Sequence, residues 1–575
     1  MFSEPTLEKV VENPEIFFKV DETDGEIDNV IFGWLEVTEA LDKLSKNAAP
    51  GPDGIPAILL KKCKYSLAEP LSIVFNKIFS SGHIPEILKT AYIVPIHKGG
   101  SRATPANFRP VSLTSHLIKT LERIIRSSLV GNLEYHQKLN PKQHGFRNKR
   151  SCLTHLLEYH DYILSSLEDG HNVDSIYLDF SKAFDRVDIG ILCHKMKLLG
   201  IKGKLGIWIH NFLSDRKQRI MVNGTLSEAS EVKSGVPQGT VLGPILFLLL
   251  INDIDEDVLS NISLFADDTR VTGQVDNKED VEDLQKDLDR VYTWQSKNNM
   301  LFNSKKFEML RFGANSSLKE ETMYFSPDYE DIIEEKDSLR DLGVMMSNKL
   351  DFQEHIDKVC STVKQKCAWI LRTFKCRETG FLKSMWKSLV QGHIDYCSQL
   401  YMPTQSMQMA QIENLQKCFT KKIPEVNKLN YWERLKQLKI YSQNRRLERY
   451  RIIYTWKILE KLVPNCGLTP SISERRGRLL IVPSLKGPRC VQRLKEQSFQ
   501  VHGPKLFNCL PQTLRNITKV SVEEFKEKLD EYLSSIPDEP NVDGLTPGAC
   551  DIFTAKPSNS IIDQSRTIRI RKAGS

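Results

Sequence analysis

Short apolar or alternating runs dominate the middle of the chain, while apolar residues recur every three or four positions on either side of them. Period-two and fully apolar runs predict strands at Tyr92–His97, Asp174–Phe180, Gln218–Val222, Glu228–Lys233, Ile262–Ala266, Thr269–Thr272 and Lys306–Phe312. A strand-pair edge is expected at Leu339–Met346. Helical spacing predicts helices over about 38–46 with Thr38 as N-cap, 56–80, 115–133, 151–168, 204–213, 278–297, most of 352–461, and 522–534. Asp188 caps a further helix that Gly200 closes, and a core helix starts near Leu242. Asn223-Gly224 is a tight-hairpin signal, and Pro50-Gly51-Pro52-Asp53-Gly54 is a loop that cannot be helical. This order of elements predicts an α+β fold, an antiparallel sheet backed by helices.

Composition narrows the class. A chain of 575 residues exceeds one core, and about three to five structural units are expected at ~100–200 residues each. With 40% hydrophobic and 27% charged residues the composition is that of an ordinary globular protein. The longest apolar run, Val241–Ile251, is broken by Gly243 and Pro244 and falls far short of the ~20 residues of a membrane helix. None of the twelve cysteines forms a CxxC pair, and Cys360, Cys367 and Cys376 lack zinc spacing. Without a signal peptide, reduced thiols in a reducing compartment are expected.

The net charge of +7 is uneven. Residues 1–33 are acidic, with Pro5, Pro14 and Gly25, and read as a linker or truncated edge. From Lys417 to Lys461, thirteen Lys/Arg face four Asp/Glu, a block that suits either a polyanion or the solvated faces of long helices. Residues 316–337 are acidic and irregular, and the tail from Pro537 reads as flexible, ending in Arg566, Arg569, Arg571 and Lys572.

Asp267 and Asp268 lie between two strand runs, so they fall in a hairpin turn. Adjacent carboxylates raise each other's pKa unless a cation neutralises them. Taken alone, a solvated acidic turn is the plainer reading. A second apolar strand, Ile176-Tyr177-Leu178, delivers Asp179 at its end, as a strand cap or as a third carboxylate. Three carboxylates suit a hard cation such as Mg²⁺. Two such ions, about 3.5–4 Å apart, hold the attacking and leaving oxygens of a phosphoryl transfer.

Three motifs, Tyr177-Leu178-Asp179-Phe180-Ser181-Lys182-Ala183-Phe184-Asp185, Ser234-Gly235-Val236-Pro237-Gln238-Gly239 and Phe265-Ala266-Asp267-Asp268, resemble the central palm motifs of reverse transcriptases. The set looks most like that of non-LTR retrotransposons of the jockey and chicken-repeat type. The resemblance runs from about Asn47 to Val344, with a weaker echo at His502–Asn508.

It implies a right-hand polymerase: fingers over 34–173 with part of the palm, palm over 174–350, a helical basic thumb over 351–461, and a C-terminal region over 462–575. It implies RNA-directed DNA synthesis from dNTPs on a DNA primer and an RNA template, with two Mg²⁺ ions or Mn²⁺. Asp179 and Asp267 are the implied main metal ligands, with the Phe180 carbonyl, and Asp268 is the third carboxylate. Phe184 is the implied steric gate against a ribose 2′-hydroxyl. Gln238 and Gly239 would meet the nucleotide and template, Lys98 and Arg109 would hold the triphosphate, and Lys306, or Lys305, would protonate pyrophosphate.

Other features set limits. Trp369, Trp386, Tyr396 and Trp432 read as core residues rather than base-stacking ones. The endonuclease domain and the Cys/His knuckle of complete family members are expected to be lacking, and Asp188-Ile189 stands where many relatives carry a His. A copying enzyme of this kind acts in the nucleus or cytoplasm, with no membrane involved. The competing readings are an RNA-copying RNA polymerase, which Phe184 disfavours, and a catalytically inactive or co-opted nucleic-acid-binding remnant.

Overall fold

Each run expected as a strand forms one in the computed structural model, which describes residues 11, 13–19, 26–313, 323–327, 331–403, 406–473, 475–539 and 559–564. Two five-stranded sheets result. In the first, β1 (Thr90–His97) pairs antiparallel with β2 (Phe108–Leu113), from Tyr92↔Leu113 to His97↔Phe108. The second strand to join β1, β4, lies parallel to it. It comes after β3 (Val173–Leu178), which belongs to the other sheet. Strand β4 (Arg216–Val222) carries β5 (Thr225–Leu226) and β6 (Ser230–Val232), both antiparallel. Asn223 at φ +50° and Gly224 at φ +83° close the expected hairpin.

The other sheet is ordered β10-β9-β3-β8-β7. Strands β7 (Asn261–Phe265), β8 (Asp268–Gln274) and β9 (Glu308–Phe312) run antiparallel to their neighbours, and β10 (Glu334–Glu335) adds a parallel edge. Its central strands are covered on both faces, so their polar side chains must find partners inside. Tyr159 donates to Ser175 at 2.8 Å and Ser175 meets Thr272 at 2.9 Å. Buried Asp174 takes Arg311 at 2.9 Å and the Tyr324 hydroxyl at 2.9 Å. Two hairpins follow, β11 (Ser338–Asp341) with β12 (Val344–Ser347), and β13 (Thr469–Ser473) with β14 (Gly477–Ile481).

One face of this sheet shares a core with helices Trp34–Asp42, Lys64–Ser81, His116–Tyr135, Ile189–Leu198 and Gly203–Leu213. At its centre Gly243–Ile251 is buried at every position but Pro244, which explains its apolar run. The other face packs on Cys152–Glu168 and a second core. That core also takes in Gln353–Thr373, Gln443–Leu459, Phe499–Cys509 and Val522–Ser534, so residues on both sides of position 461 share it.

Several expectations need correction. The stretch read as a linker or truncated edge contributes Phe18, Ile27, Val30 and Phe32 to the first core, and Glu26 pairs with Lys202. Its apolar residues outweigh its acidic composition. The first long helix begins at Trp34 behind Gly33, not at Thr38, whose hydroxyl bonds back to the Trp34 carbonyl at 2.7 Å. Among the described residues from 462 to 539, Val522–Ser534 is joined by a hairpin and three further helices.

Part of the tail is docked: Ile561 is fully buried, its amide donates to Glu448 Oε2 at 2.8 Å, and Ser560 donates to Oε1 at 2.6 Å. The buried Glu448 carboxylate needs those donors. Arg566, Arg569, Arg571, Lys572 and much of the acidic 316–337 stretch lie outside the described residues. Trp386 is core as expected, but Trp369 and Tyr396 are exposed.

The arginines of the basic block are largely internal. Arg434, Arg445 and Arg451 are buried, and Arg446 and Arg449 pair with Asp395 and Asp530. The block's exposed charge is carried by lysines such as Lys417, Lys421, Lys422 and Lys428. The described cysteines are free thiols, and among the described residues no helix is long and apolar enough to cross a membrane.

Candidate active site

The β7–β8 hairpin closes with Phe265 opposite Asp268, so Ala266 and Asp267 form its two-residue turn and Asp268 opens β8. Ala266 sits at φ +56°, a left-handed conformation that costs an L-residue about 1–2 kcal/mol. Such strain persists only where the surroundings impose it. Here the segment before the helix Cys152–Glu168 does so. Gln143 Oε1 accepts the Ala266 amide at 2.8 Å and the Gly145 amide at 2.7 Å, and Gln143 Nε2 donates to the Ala266 carbonyl at 3.3 Å. The His144 amide donates to Leu264 at 2.8 Å. A Cβ on Gly145 would stand 2.9 Å from the Ala266 Cα and nearer still to its amide nitrogen, so only glycine fits.

Strand β3 delivers Asp179 to this turn. The register sets Leu178 opposite Thr269, which brings the next residue of β3 level with Asp268. Beyond it, Phe180 bridges Phe302, with Ser181 donating to Leu301 at 2.7 Å and Asn303 donating to Asp179 at 2.8 Å. Those bonds use the peptide groups flanking Phe180 and direct its own carbonyl away from that strand.

The electrostatics record the crowding. Burial raises the Asp267 carboxyl above its ordinary range and Asp179 pushes it the same way, against Arg109 and Lys98. Asp268 is pushed up to about 7, first by burial and then by Asp267, Asp341 and Asp179, against Arg270. Asp268 keeps an exposed edge, where solvent screens part of that effect.

The β1–β2 loop carries charges that reach the turn. Lys98 and Arg109 are exposed side chains on its two limbs, pinned by a 2.8 Å bond from the Lys98 amide to Asn107, and both act on Asp267. Phe184 follows β3 in a short 3-10 turn, Ala183–Arg186. Its ring stacks on Phe247 at 4.7 Å, and its carbonyl accepts the Val236 amide at 2.8 Å.

Gln238 and Gly239 reach the same place from the other side. The Gln238 side chain donates to Asp185 Oδ1 at 2.9 Å, and its carbonyl accepts the Ser112 amide of β2 at 2.7 Å. Gly239 has φ +104°, and a Cβ there would lie 2.9 Å from the Ser112 carbonyl. A cavity of about 270 Å³ opens beside this loop, lined by Lys182, Asp185, Arg186, Gln218 and Gln238.

Lys306 lies on the opposite side, 2.8 Å from Asp179 Oδ2. With Lys305, Asp268, Arg340 and Asp341 it lines a second cavity of about 380 Å³. Beneath that groove Arg270 is fully enclosed. It pairs with Asp341, bonds His155 and lies 3.5 Å over the Tyr159 ring. This buried ion pair ties the carboxylate hairpin to the β11–β12 hairpin.

Sequence reasoning missed Gln143, Gly145, Glu122, Asp341 and Arg270. Only Glu122 and Arg270 left a signal, as charges within apolar stripes. Glu122 is fully buried on the helix His116–Tyr135, and its Oε2 accepts the Val241 and Leu242 amides at 2.7 and 2.9 Å. It thus anchors the segment that leads from the Gln238–Gly239 loop into the core helix.

Among the described residues no three His, Cys, Asp or Glu side chains gather closely enough to enclose a metal ion. Mg²⁺ commonly takes one or two carboxylates and completes its shell with water and substrate phosphates. Asp179, Asp267 and a free-facing Phe180 carbonyl fit that pattern.

Comparison with known proteins follows the same region. Residues 96–367 match the model for reverse transcriptase (RNA-dependent DNA polymerase). The chain is 27% identical over 381 residues to the RNA-directed DNA polymerase from mobile element jockey of Drosophila melanogaster, covering 64% of this chain and 41% of that one. It is 28% identical over 405 residues to the probable RNA-directed DNA polymerase from transposon X-element of the same species, 67% of this chain and 44% of that one. The chain therefore spans less than half the length of these curated relatives. Among solved structures, apo telomerase from Candida tropicalis aligns over 69% of this chain and 67% of that one, at 14% identity and a TM-score of 0.40. The region that matches the reverse transcriptase model, residues 96–367, holds all three carboxylates, both cationic loop residues and the Gln238–Gly239 loop.

Proposed function

We propose that this chain is an RNA-directed DNA polymerase of the non-LTR retrotransposon type, adding dNTPs to a DNA primer 3′-hydroxyl on an RNA template. The observation that carries the reading is the β3–β8 register, which sets Asp179 beside the Asp267-Asp268 turn, within the electrostatic reach of Lys98 and Arg109. The fingers are assigned to 34–173, the palm to 174–350 and the thumb to 351–461.

Reverse transcriptases work with divalent metal ions. Two Mg²⁺ ions, or Mn²⁺, held by Asp179, Asp267 and the Phe180 carbonyl, would make the 3′-hydroxyl more acidic and neutralise phosphate charge. Asp268 is the third carboxylate at that turn. Arg109 and Lys98 hold the triphosphate, with Arg109 able to engage two oxygens at once. The 3′-oxygen attacks the α-phosphorus, the bond to the β-phosphate breaks, and pyrophosphate departs. Lys306 gives its proton to that leaving group once it releases Asp179. In this reading Phe184 is the steric gate against a ribose 2′-hydroxyl, and Gln238 and Gly239 meet the nucleotide and template. The exposed lysines of the thumb hold the duplex through its phosphates. Such a protein works in the nucleus or cytoplasm.

Primer extension on an RNA template with Mg²⁺ tests this, comparing dNTPs with NTPs and wild type with Asp267→Ala. Wild type should extend with dNTPs and the variant should not. A folded, RNA-binding wild type that incorporates no dNTP would instead support a non-catalytic nucleic-acid-binding protein.

A further inference from the structure

We propose that Phe146 is a positioning residue for Phe184 and thereby helps set the choice between deoxyribose and ribose; this rests on the polymerase reading above. The Phe184 ring is held from two sides. Phe247, buried in the core helix, stacks on it with centroids 4.7 Å apart and 21° between planes. Phe146 meets it edge-on, at 6.1 Å and 87°. The Phe184 backbone is already fixed by the Val236 amide, so its remaining freedom is rotation of the ring.

Burial does not explain Phe146. It is 45% exposed and sits at φ +55°, an unfavourable conformation for a bulky aromatic residue. Strain kept at an exposed position points to a local role. Its backbone is clamped on each side to keep it there. Gly145 is wedged against Ala266, the Phe146 carbonyl accepts Arg126 Nη2 at 3.3 Å, and Arg147 is bound to Glu134 at 2.6 Å and to the Asn140 carbonyl at 2.6 Å. The segment that fixes the Asp267 turn therefore also fixes the ring against Phe184.

A gate excludes a hydroxyl only while its ring cannot yield. Without Phe146, Phe184 keeps Phe247 on one face and gains room to swing away. The group selected is the 2′ position of the incoming nucleotide sugar.

The test is steady-state kcat/KM for dNTP and for NTP on the same primer and RNA template. In Phe146→Ala the dNTP-over-NTP ratio should fall about tenfold or more, through a gain in NTP use. Phe146→Tyr should restore the ratio, and Phe146→Leu, which keeps most of the volume, should fall between and serves if the Ala variant does not fold. In a Phe184→Ala background, Phe146→Ala should lower the ratio no further. An unchanged ratio, an equal loss for both nucleotides, as a template-stacking role would give, or full additivity with Phe184→Ala overturns the inference alone. A wild type that uses neither nucleotide overturns the polymerase reading and this inference together.

Discussion

Gln143 grips Ala266 at both of its peptide groups, accepting its amide at 2.8 Å and donating to its carbonyl at 3.3 Å. The turn that presents Asp267 is therefore shaped by a residue more than a hundred positions earlier in the chain.

Replacing Gln143 with Leu should leave the Ala266 and Gly145 amides buried without an acceptor. Each costs about 1–3 kcal/mol. Chemical denaturation should show that loss, and primer extension should fall in kcat more than in dNTP KM, since the displaced group is a carboxylate rather than the triphosphate clamp. Gly145→Ala should have the same signature, because its Cβ collides with Ala266.

Glu122 is expected to act through the Gln238–Gly239 loop. Glu122→Ala removes the acceptor of two buried amides, Val241 and Leu242. The loop should loosen, with the dNTP KM rising at least severalfold. Glu122→Gln retains a carbonyl oxygen and avoids a buried charge, so it should stay close to wild type in both KM and thermal midpoint.

The Arg270–Asp341 pair is closed off from solvent. Asp341→Ala should destabilise the fold by about 3–5 kcal/mol by leaving the guanidinium without its carboxylate. Replacing both partners with apolar residues of similar volume should cost clearly less than the single change. Urea unfolding of the three variants measures the difference.

Glu448 supplies a pH dependence away from the site. Burial raises its pKa from 4.5 to about 7. The folded state then keeps a proton that the unfolded chain gives up. Its stabilising contribution is complete below about pH 4.5 and is lost as pH rises through about 7. Wild type should lose stability relative to Glu448→Gln between those values, seen as converging or crossing urea midpoints.

The sequence announced the strands well because their patterns are local. Leu339–Met346 reads as a strand pair in sequence and is one in the structure, with β11 and β12 turning at Leu342-Gly343. The helix Lys278–Lys297 falls on its expected bounds, fixed by the Asn277 cap. Boundaries failed where a tertiary contact outweighed a local signal. Thr38 is a good N-cap type, but the helix begins earlier, at Trp34 behind Gly33. The acidic stretch before residue 34 held enough apolar residues to pack, which its charge obscured.

For the site, residue types and spacing pointed to Asp179, Asp267 and Asp268 as a carboxylate set, and the resemblance of three short contiguous motifs implied roles for Phe184, Gln238 and Gly239. That Asp179 and Asp268 stand side by side was decided by the pairing of β3 with β8, strands separated by about ninety residues. Gln143, Glu122 and Asp341 belong to no such motif, and their roles come from bonds to backbone or buried charge across the fold. A hydrogen-bond acceptor has no preferred sequence distance from its donor. The sequence by itself therefore determined which groups could do the chemistry, and only the tertiary structure decided what holds them still.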